Sequence, residues 1–180
     1  MIDNERQIAL VRQARAGDPH AFAELYESIY KDLYKTALMR LGNPEDAENV
    51  VSDTVLDAYS GLSKLRDESA FRGWIFRILS NKISRIIKEY ISTRENEMSG
   101  SIEDFSVVVS SKDNSMKNVE DRMLIENAFR VLSEEEKEIV SMTVFGEYDS
   151  QEVAEIMKLN RNTVRSKYSR ALAKMRAYLS

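Results

Sequence analysis

Apolar residues recur every three or four positions along most of the chain, a spacing typical of helices that bury one face. The alternation of apolar and polar residues that marks half-buried strands is nearly absent. The first clear stripe consists of Phe22, Leu25, Tyr26, Ile29, Leu33, Tyr34 and Ala37. It stops at Gly42-Asn43-Pro44, where Gly favours a helix end and Pro is tolerated only in the first turn of the next helix. The pattern predicts an all-α protein.

Two more stripes follow in the first half of the chain, and they differ in charge. A helix beginning near Glu45 has one apolar stripe, formed by Ala47, Val50, Val51, Val55, Leu56 and Tyr59. Its other faces carry the acidic residues Asp46, Glu48, Asp53 and Asp57. After the polar segment 63–69, a third helix beginning at Phe71 interleaves apolar residues with Arg72, Arg77, Lys82, Arg85 and Lys88. The sequence thus predicts an acidic helix followed by a basic one.

Residues 92–118 are rich in Ser, Asn and acidic side chains and show little helical periodicity, which is typical of a linker. The three valines at 107–109 are its only run of consecutive apolar residues; a local turn contact is the simplest interpretation, and we assign the run no role. We therefore predict two small helical domains, 1–91 and 119–180, joined by a flexible linker at 92–118. The second is expected to be a four-helix-type domain with a helix-turn-helix.

The second domain contains a recognisable helix-turn-helix. Ser133 followed by Glu136 predicts a capping box at the start of one helix, which ends at Gly146. A short helix from about Ser150 to Met157 leads through a three-residue turn to Asn160, which can cap a last helix reaching residue 179. Lys158 stands at the turn position where Gly is common, so a left-handed backbone there costs roughly 1 kcal/mol.

Within this motif, the apolar residues predict how the last two helices pack. Ala154 is small where the helices cross, and Leu159 and Val164 fill the angle between them. The buried stripe is expected to continue through Tyr168, Ala171, Leu172 and Met175. The polar residues Arg165, Ser166, Ser169 and Arg170 then face outward, where a recognition helix contacts the DNA major groove.

The charge distribution supports contacts with nucleic acid. The chain carries a net charge of -4, but residues 71–94 hold six bases against one acid, and residues 158–180 hold seven bases and no acid. Residues 18–68, in contrast, hold eleven acids against five bases. Basic segments suit phosphate contacts, whereas acidic segments are repelled by DNA and suit a basic protein partner. Two kinds of partner are implied.

Other function classes find little support. The chain has no cysteine, no signal-peptide pattern and no long apolar run, so we expect a protein of the reducing cytoplasm. Its one histidine, His20, lies in a helix-start context without a nucleophile, metal set or Gly-rich phosphate loop. We therefore expect that the chain is not an enzyme and that it binds no metal, no cofactor and no small-molecule substrate.

Three segments resemble motifs of the extracytoplasmic-function group of bacterial sigma factors in the sigma-70 family, and the resemblance runs from end to end. Residues 46–59 are similar to the family's polymerase-binding helix, and residues 71–81, FRGWIFRILSN, resemble its promoter-melting helix. Residues 163–171, TVRSKYSRA, are similar to its recognition helix for the minus-thirty-five element. The chain departs from the family's common residues at Ser52, where Gln is usual, and at Ser169, where an aromatic residue occurs.

The resemblance implies a function as well as a fold. It implies a sigma factor that binds core RNA polymerase, through the clamp helices of the largest subunit and the flap of the second-largest, and directs it to promoter DNA. The expected polymerase-binding residues are Asp46, Glu48, Asn49 and Asp53. The expected minus-ten residues are Arg72, Arg77, Asn81, Lys82 and Arg85, with the loop 62–69 around a flipped base. The expected minus-thirty-five residues are Arg161, Asn162, Thr163, Arg165, Ser166, Lys167, Ser169 and Arg170.

Family members are usually held inactive by an anti-sigma factor, which is either soluble or membrane-bound, so such a partner is also implied. Trp74, within the melting motif, is better explained as a core residue than as a DNA-stacking one. The main alternative function is a repressor or response regulator that uses the same helix-turn-helix as a dimer, without being a polymerase subunit. That alternative leaves the first 90 residues unexplained.

Overall fold

The computed structural model describes the backbone of residues 2–96 and 116–179 and the side chains of residues 2–93 and 123–179. In these ranges the secondary structure is entirely helical, which confirms the predicted all-α class. Two short 3-10 helices, Leu62–Lys64 and Glu68–Ala70, lie between the third and fourth α-helices. The α-helices are α1 Asn4–Arg15, α2 Pro19–Leu41, α3 Pro44–Gly61, α4 Phe71–Asn96, α5 Met116–Arg130, α6 Glu134–Val144, α7 Ser150–Met157 and α8 Arg161–Leu179.

The chain divides into two compact units, the first containing α1 to α4 and the second α5 to α8. Both ends of the segment predicted as a linker are helical, since α4 continues to Asn96 and α5 begins at Met116. The rest of that segment, including the valines at 107–109, lies outside the described residues. The domain boundaries at 91 and 119 therefore remain predictions.

The predicted break between the first two helical stripes has the expected geometry. Gly42 ends α2 in a left-handed conformation with φ 70°, which Gly adopts without steric cost. The side chain of Asn43 accepts hydrogen bonds from the backbone N–H groups of Glu45 and Asp46, and Pro44 occupies the first turn of α3. The local sequence thus fixes the point at which the chain reverses.

The core of the first unit lies where α2, α3 and α4 pack together, and Leu25, Leu33, Leu79 and Ile83 are fully buried there. On α3, the buried face is Ala47, Val50, Val51, Thr54 and Ala58. The prediction that Leu56 and Tyr59 complete this apolar stripe is wrong, because the two side chains are 64% and 52% exposed. Leu56 follows Thr54 by two residues, which is more than half a turn, so it lies on the opposite face.

Helix α1 was not predicted from the sequence. Its many charged residues obscure a short buried row, Leu10, Val11 and Ala14. The side chain of Asp3 accepts a hydrogen bond of 2.7 Å from the backbone N–H of Arg6 and so caps the helix. The cap and the spacing of Leu10 and Ala14 were the available signals for this helix.

The second unit confirms the predicted helix-turn-helix elements. Ser133 and Glu136 form the predicted capping box, each side chain accepting from the other residue's backbone N–H. Lys158 has the predicted left-handed backbone, with φ 55°. Helix α6 ends at Val144, slightly before the predicted end at Gly146. A Cβ at Gly146 would lie 2.7 Å from the carbonyl oxygen of Met142, so only Gly fits the turn that follows.

One helix-packing prediction in this unit is wrong. Leu172 is 36% exposed, whereas Val164 and Ala171 are buried along α8. Tyr168 and Met175 are half-buried beside them. The buried row on α8 is therefore narrower than the sequence indicated, because each added residue turns the side chain by about 100°.

Candidate functional site

The acidic face of α3 is open to solvent. Glu48, Asn49 and Asp53 are exposed, and Leu56 continues the row one turn further. Within the described ranges, no ion pair joins Glu48 or Asp53 to a basic side chain. This face therefore offers uncompensated carboxylates around one apolar side chain, an arrangement that suits a basic protein surface.

Asp46, predicted to share that face, has a different environment. It is half-buried in the first turn of α3, and its Oδ2 accepts a 2.6 Å hydrogen bond from the hydroxyl of Tyr90 on α4. The carboxylate therefore has a partner within the chain. Among the four predicted polymerase-binding residues, Asp46 is the one whose side chain also joins two helices.

The exposed face of α4 carries three of the predicted minus-ten residues in one row. Arg77, Asn81 and Arg85 are exposed at intervals of four residues, and Lys88 continues the row. The guanidinium of Arg85 lies 3.7 Å from Glu89, a loose pair between two largely exposed side chains. Such exposed pairs contribute little, so the arginine remains available for a phosphate.

Arg72 does not share this row. Only 9% of the residue is exposed, and its Nη2 donates a 2.9 Å hydrogen bond to Asp32 on α2. Its guanidinium also lies 5.3 Å from the ring centre of Phe76. These contacts hold α4 against α2, and the burial argues against the expected phosphate contact.

Lys82 lies in an open groove of about 270 Å³ between α3 and α4. Its Nζ is 2.7 Å from Asp57 Oδ2, and the lysine side chain is only 17% exposed. The groove is lined by Asp57, Ile78, Asn81, Lys82 and Arg85. Of the predicted minus-ten residues, Asn81, Lys82 and Arg85 border the groove, and Lys82 is paired there with the carboxylate of Asp57.

The loop between α3 and α4 is held by α1. Gln7 donates a 3.1 Å hydrogen bond to the carbonyl of Ser69, and Arg15 donates one of 3.2 Å to Glu68. Within the loop, Asp67 accepts from both the hydroxyl and the backbone N–H of Ser69, and these bonds lower the pKa of the Asp67 carboxyl. Hydrogen bonds from α1 therefore hold the loop that was predicted to surround a flipped base.

Trp74, predicted to be a core residue, is only half-buried. The centre of its indole lies 6.2 Å from the centre of the Phe71 ring. A Cβ at Gly61 would approach the indole to 3.4 Å, so Gly61 lets the end of α3 lie close to this ring.

Helices α7 and α8 form the helix-turn-helix. Val153 and Ala154 of α7 and Val164 of α8 are buried at the crossing. Asn160 caps α8 by accepting a 2.8 Å hydrogen bond from the backbone N–H of Asn162. Thr163 is half-buried, whereas the other outward residues are exposed: Arg161, Asn162, Arg165, Ser166, Ser169 and Arg170.

Lys167, the remaining predicted minus-thirty-five residue, lies on the inner side of α8. Its Nζ donates a hydrogen bond to Glu135 at the start of α6. Seven residues later, Lys174 donates to both carboxylate oxygens of Glu136 at 2.8 Å. Neither ion pair was predicted from the sequence, because i,i+4 spacing reveals pairs within one helix but not pairs between helices.

The part of the chain that the structure describes offers neither a metal-binding cluster nor a membrane-spanning helix. No three acidic or histidine side chains come close enough to hold a metal ion. None of the helices there combines the length and the apolar character needed to cross a membrane.

Comparison with known proteins identifies the family. Residues 25–90 match the family model "Sigma-70 region 2", and residues 122–175 match "Sigma-70, region 4". Together the two matches span two thirds of the chain. The first contains the exposed faces of α3 and α4, and the second contains the helix-turn-helix.

Three relatives match nearly the whole chain. The RNA polymerase sigma factor NccH of Alcaligenes xylosoxydans xylosoxydans is 28% identical, with 99% of this chain and 97% of the relative covered. The ECF RNA polymerase sigma-E factor of Haemophilus influenzae is 28% identical, covering 91% and 89%. The ECF RNA polymerase sigma factor SigW of Bacillus subtilis is 24% identical, covering 94% of each.

Two solved structures share the fold. CnrH in complex with the cytosolic domain of CnrY superposes with a TM-score of 0.67 at 22% identity, covering 97% of each chain. The sigma factor RpoE in complex with the anti-sigma factor NepR from Bartonella quintana gives 0.72 at 20% identity, covering 88% of this chain and 96% of that one. The chain therefore belongs to the sigma-70 family of RNA polymerase sigma factors, and its full-length relatives place it in the extracytoplasmic-function group.

Proposed function

We propose that this chain binds core RNA polymerase through the exposed face of α3 and directs it to promoters through α4 and α8. The observation that carries the proposal is the separation of charge among exposed faces. Glu48 and Asp53 stand on α3, while Arg77 and Arg85 stand on α4. An acidic protein-binding face and a basic DNA-binding face in one unit suit a subunit that joins a protein to DNA.

Polymerase binding is assigned to Glu48, Asn49, Asp53 and Leu56. The carboxylates of Glu48 and Asp53 would meet the basic clamp helices of the largest subunit, and charge complementarity would speed the encounter. Leu56, 64% exposed, supplies apolar contact at the end of the row. We assign Asp46 a supporting role, because Tyr90 already binds its carboxylate.

Recognition of the minus-ten element is assigned to the exposed row on α4 and to the braced loop before it. Arg77 and Arg85 would bind phosphates, and Asn81 would read the edge of a base that has left the stack. Asn81 is exposed and borders the groove between α3 and α4, so a base edge can reach it.

Recognition of the minus-thirty-five element is assigned to the outward face of α8. Arg165 and Arg170 would contact base edges or phosphates in the major groove, and Arg161 and Asn162 at the start of the helix would bind the backbone. The second unit would also dock on the flap of the second-largest polymerase subunit, as the family resemblance implies.

We further propose control by an anti-sigma factor, since NepR is an anti-sigma partner of a protein with this fold. An anti-sigma factor that covers α3 would block polymerase access. We expect the protein to act in the cytoplasm, where bacterial transcription takes place, and to contribute binding rather than a catalytic step of its own.

Footprinting with and without core polymerase separates this proposal from a free-standing repressor. We expect the chain to be a monomer and to give a discrete two-part footprint, about 35 and 10 base pairs upstream of a start site, only when polymerase is present. A stable dimer that protects a palindrome without polymerase would overturn the proposal.

A further inference from the structure

We propose that Lys167 and Lys174 are positioning residues, which fix the orientation of α8 through ion pairs with α6 and do not contact DNA. The inference rests on the proposed role of α8 as the recognition helix. The inference gives these two lysines a different role from the arginines of the same basic segment. The sequence alone does not distinguish the two roles.

The helical positions of these residues support the separation. Val164, Lys167, Ala171 and Lys174 follow one another at intervals of three and four residues, so they form one row along α8. Val164 and Ala171 are buried in this row, 1% and 0% exposed. Lys167 therefore lies on the face that α8 turns toward its own unit. Lys174 reaches α6 from the same row, although half of its side chain is exposed.

The partners of the lysines stand side by side at the start of α6. Lys167 binds Glu135, and its side chain is 26% exposed. Lys174 binds both oxygens of Glu136, whose side chain is 9% exposed and whose carboxylate also caps α6 through Ser133. One end of α6 is thereby tied to two points on α8.

This arrangement constrains the recognition helix in two ways. The two lysines are seven residues apart, which is about 10 Å along the helix axis. Two ion pairs that far apart oppose sliding of α8 along its own axis. Because both lysines lie in one row of α8, the ion pairs also oppose rotation of the helix about that axis. The outward face, with Arg165 and Arg170, is consequently held in one orientation for the groove.

The salt dependence of DNA binding tests whether Lys167 contacts phosphate. The full chain is titrated with mixed-sequence duplex DNA at several salt concentrations, and the slope of log affinity against log salt is compared among variants. A lost phosphate contact reduces the slope by about 1. We expect that reduction for Arg165→Gln or Arg170→Gln and an unchanged slope for Lys167→Gln and for Lys174→Gln. A reduced slope for either lysine variant would overturn the inference for that lysine.

Promoter selectivity tests the positioning role. The ratio of holoenzyme affinities for a mapped promoter with an intact and with a scrambled minus-thirty-five element is measured for each variant. We expect Lys167→Gln and Glu135→Gln each to lower this ratio by about tenfold, equivalent to one lost base contact. The swap of Glu135→Lys with Lys167→Glu should restore most of it. An unchanged ratio in both single variants, or no recovery in the swap, would overturn the positioning role.

The two measurements also separate this inference from the proposed function. If Arg165→Gln and Arg170→Gln change neither slope nor ratio, α8 is not the recognition helix, and the proposed function fails at that point. If those arginine variants behave as expected while Lys167→Gln behaves like them, only the positioning inference fails.

Discussion

The hydroxyl of Tyr90 donates a hydrogen bond of 2.6 Å to the carboxylate of Asp46, 44 residues earlier in the chain. The bond joins the later part of α4, the proposed minus-ten helix, to the first turn of α3, the proposed polymerase-binding helix. Burial and the neighbouring carboxylate raise the pKa of Tyr90 to about 12, because both disfavour the phenolate. The two helices that carry the proposed binding faces of the first unit are therefore linked directly.

The first prediction concerns Tyr90→Phe, which removes the hydroxyl and keeps the ring. We expect the free energy of unfolding of the first unit to fall by about 1 kcal/mol at neutral pH. Because the folded pKa is raised, the contribution is present below pH 10 and is lost as pH rises through about 12. Urea unfolding at pH 7 and at high pH measures this. A difference from wild type that persists unchanged above pH 12 would contradict the assignment.

The second prediction concerns Asp53→Arg, which reverses a charge at the centre of the exposed face of α3. We expect the affinity for core polymerase to fall by about tenfold or more, because a basic surface would now meet a base. Glu27→Arg makes the same charge change at an exposed position on α2 and is the matched control. Equal loss in the two variants would show that net charge, and not this face, governs the affinity.

The third prediction concerns Glu68, which pairs with Arg15 and Arg12 and so braces the loop between α3 and α4. Glu68→Gln should lower discrimination between correct and altered minus-ten elements by about fivefold, corresponding to about 1 kcal/mol. Polymerase binding should be unaffected. Glu5→Gln, on an exposed part of α1, is the control. If the Glu68 variant still distinguishes correct from altered minus-ten elements as well as wild type, the loop does not depend on these ion pairs.

The fourth prediction concerns acid stability. The hydrogen bond from Lys174, assisted by the cap at Ser133, lowers the pKa of Glu136 from its ordinary value of 4.5. A lowered folded pKa means that the stabilisation is complete above about pH 4.5 and is lost as pH falls through the lower value. Glu136→Gln keeps the capping geometry and removes the charge, so the stability of the variant should depend less on pH in the acid range. Thermal unfolding between pH 3 and 6 measures the effect, and identical pH profiles would refute it.

The sequence predicted those features that depend on local chemistry. The reversal at Gly42, the capping box at Ser133 and the left-handed turn at Lys158 each follow from backbone preferences within a few residues, and the structure confirms all three. The exposed rows on α3, α4 and α8 follow from helical periodicity in the same way. Their assignment to polymerase and DNA came from the family resemblance.

The sequence did not predict contacts between distant helices. The burial of Arg72 against Asp32, the pairing of Lys167 with Glu135 and the bracing of Glu68 by α1 each join residues at least 32 positions apart. A basic residue has the same sequence signature whether it binds DNA or a carboxylate of its own chain. Only packing decides between the two, and the buried pair of Arg72 with Asp32 argues against a contact of Arg72 with DNA.

Transcript-start mapping tests whether the chain directs core RNA polymerase to promoters. The purified chain is mixed with bacterial core RNA polymerase and fragmented genomic DNA from its source, and 5′ ends are mapped with each protein alone and with both. We expect discrete new starts only when both proteins are present, with a shared upstream motif, and we expect these starts to be lost with Asp53→Arg. If no start depends on the chain and the chain does not bind core polymerase, the proposed function is contradicted.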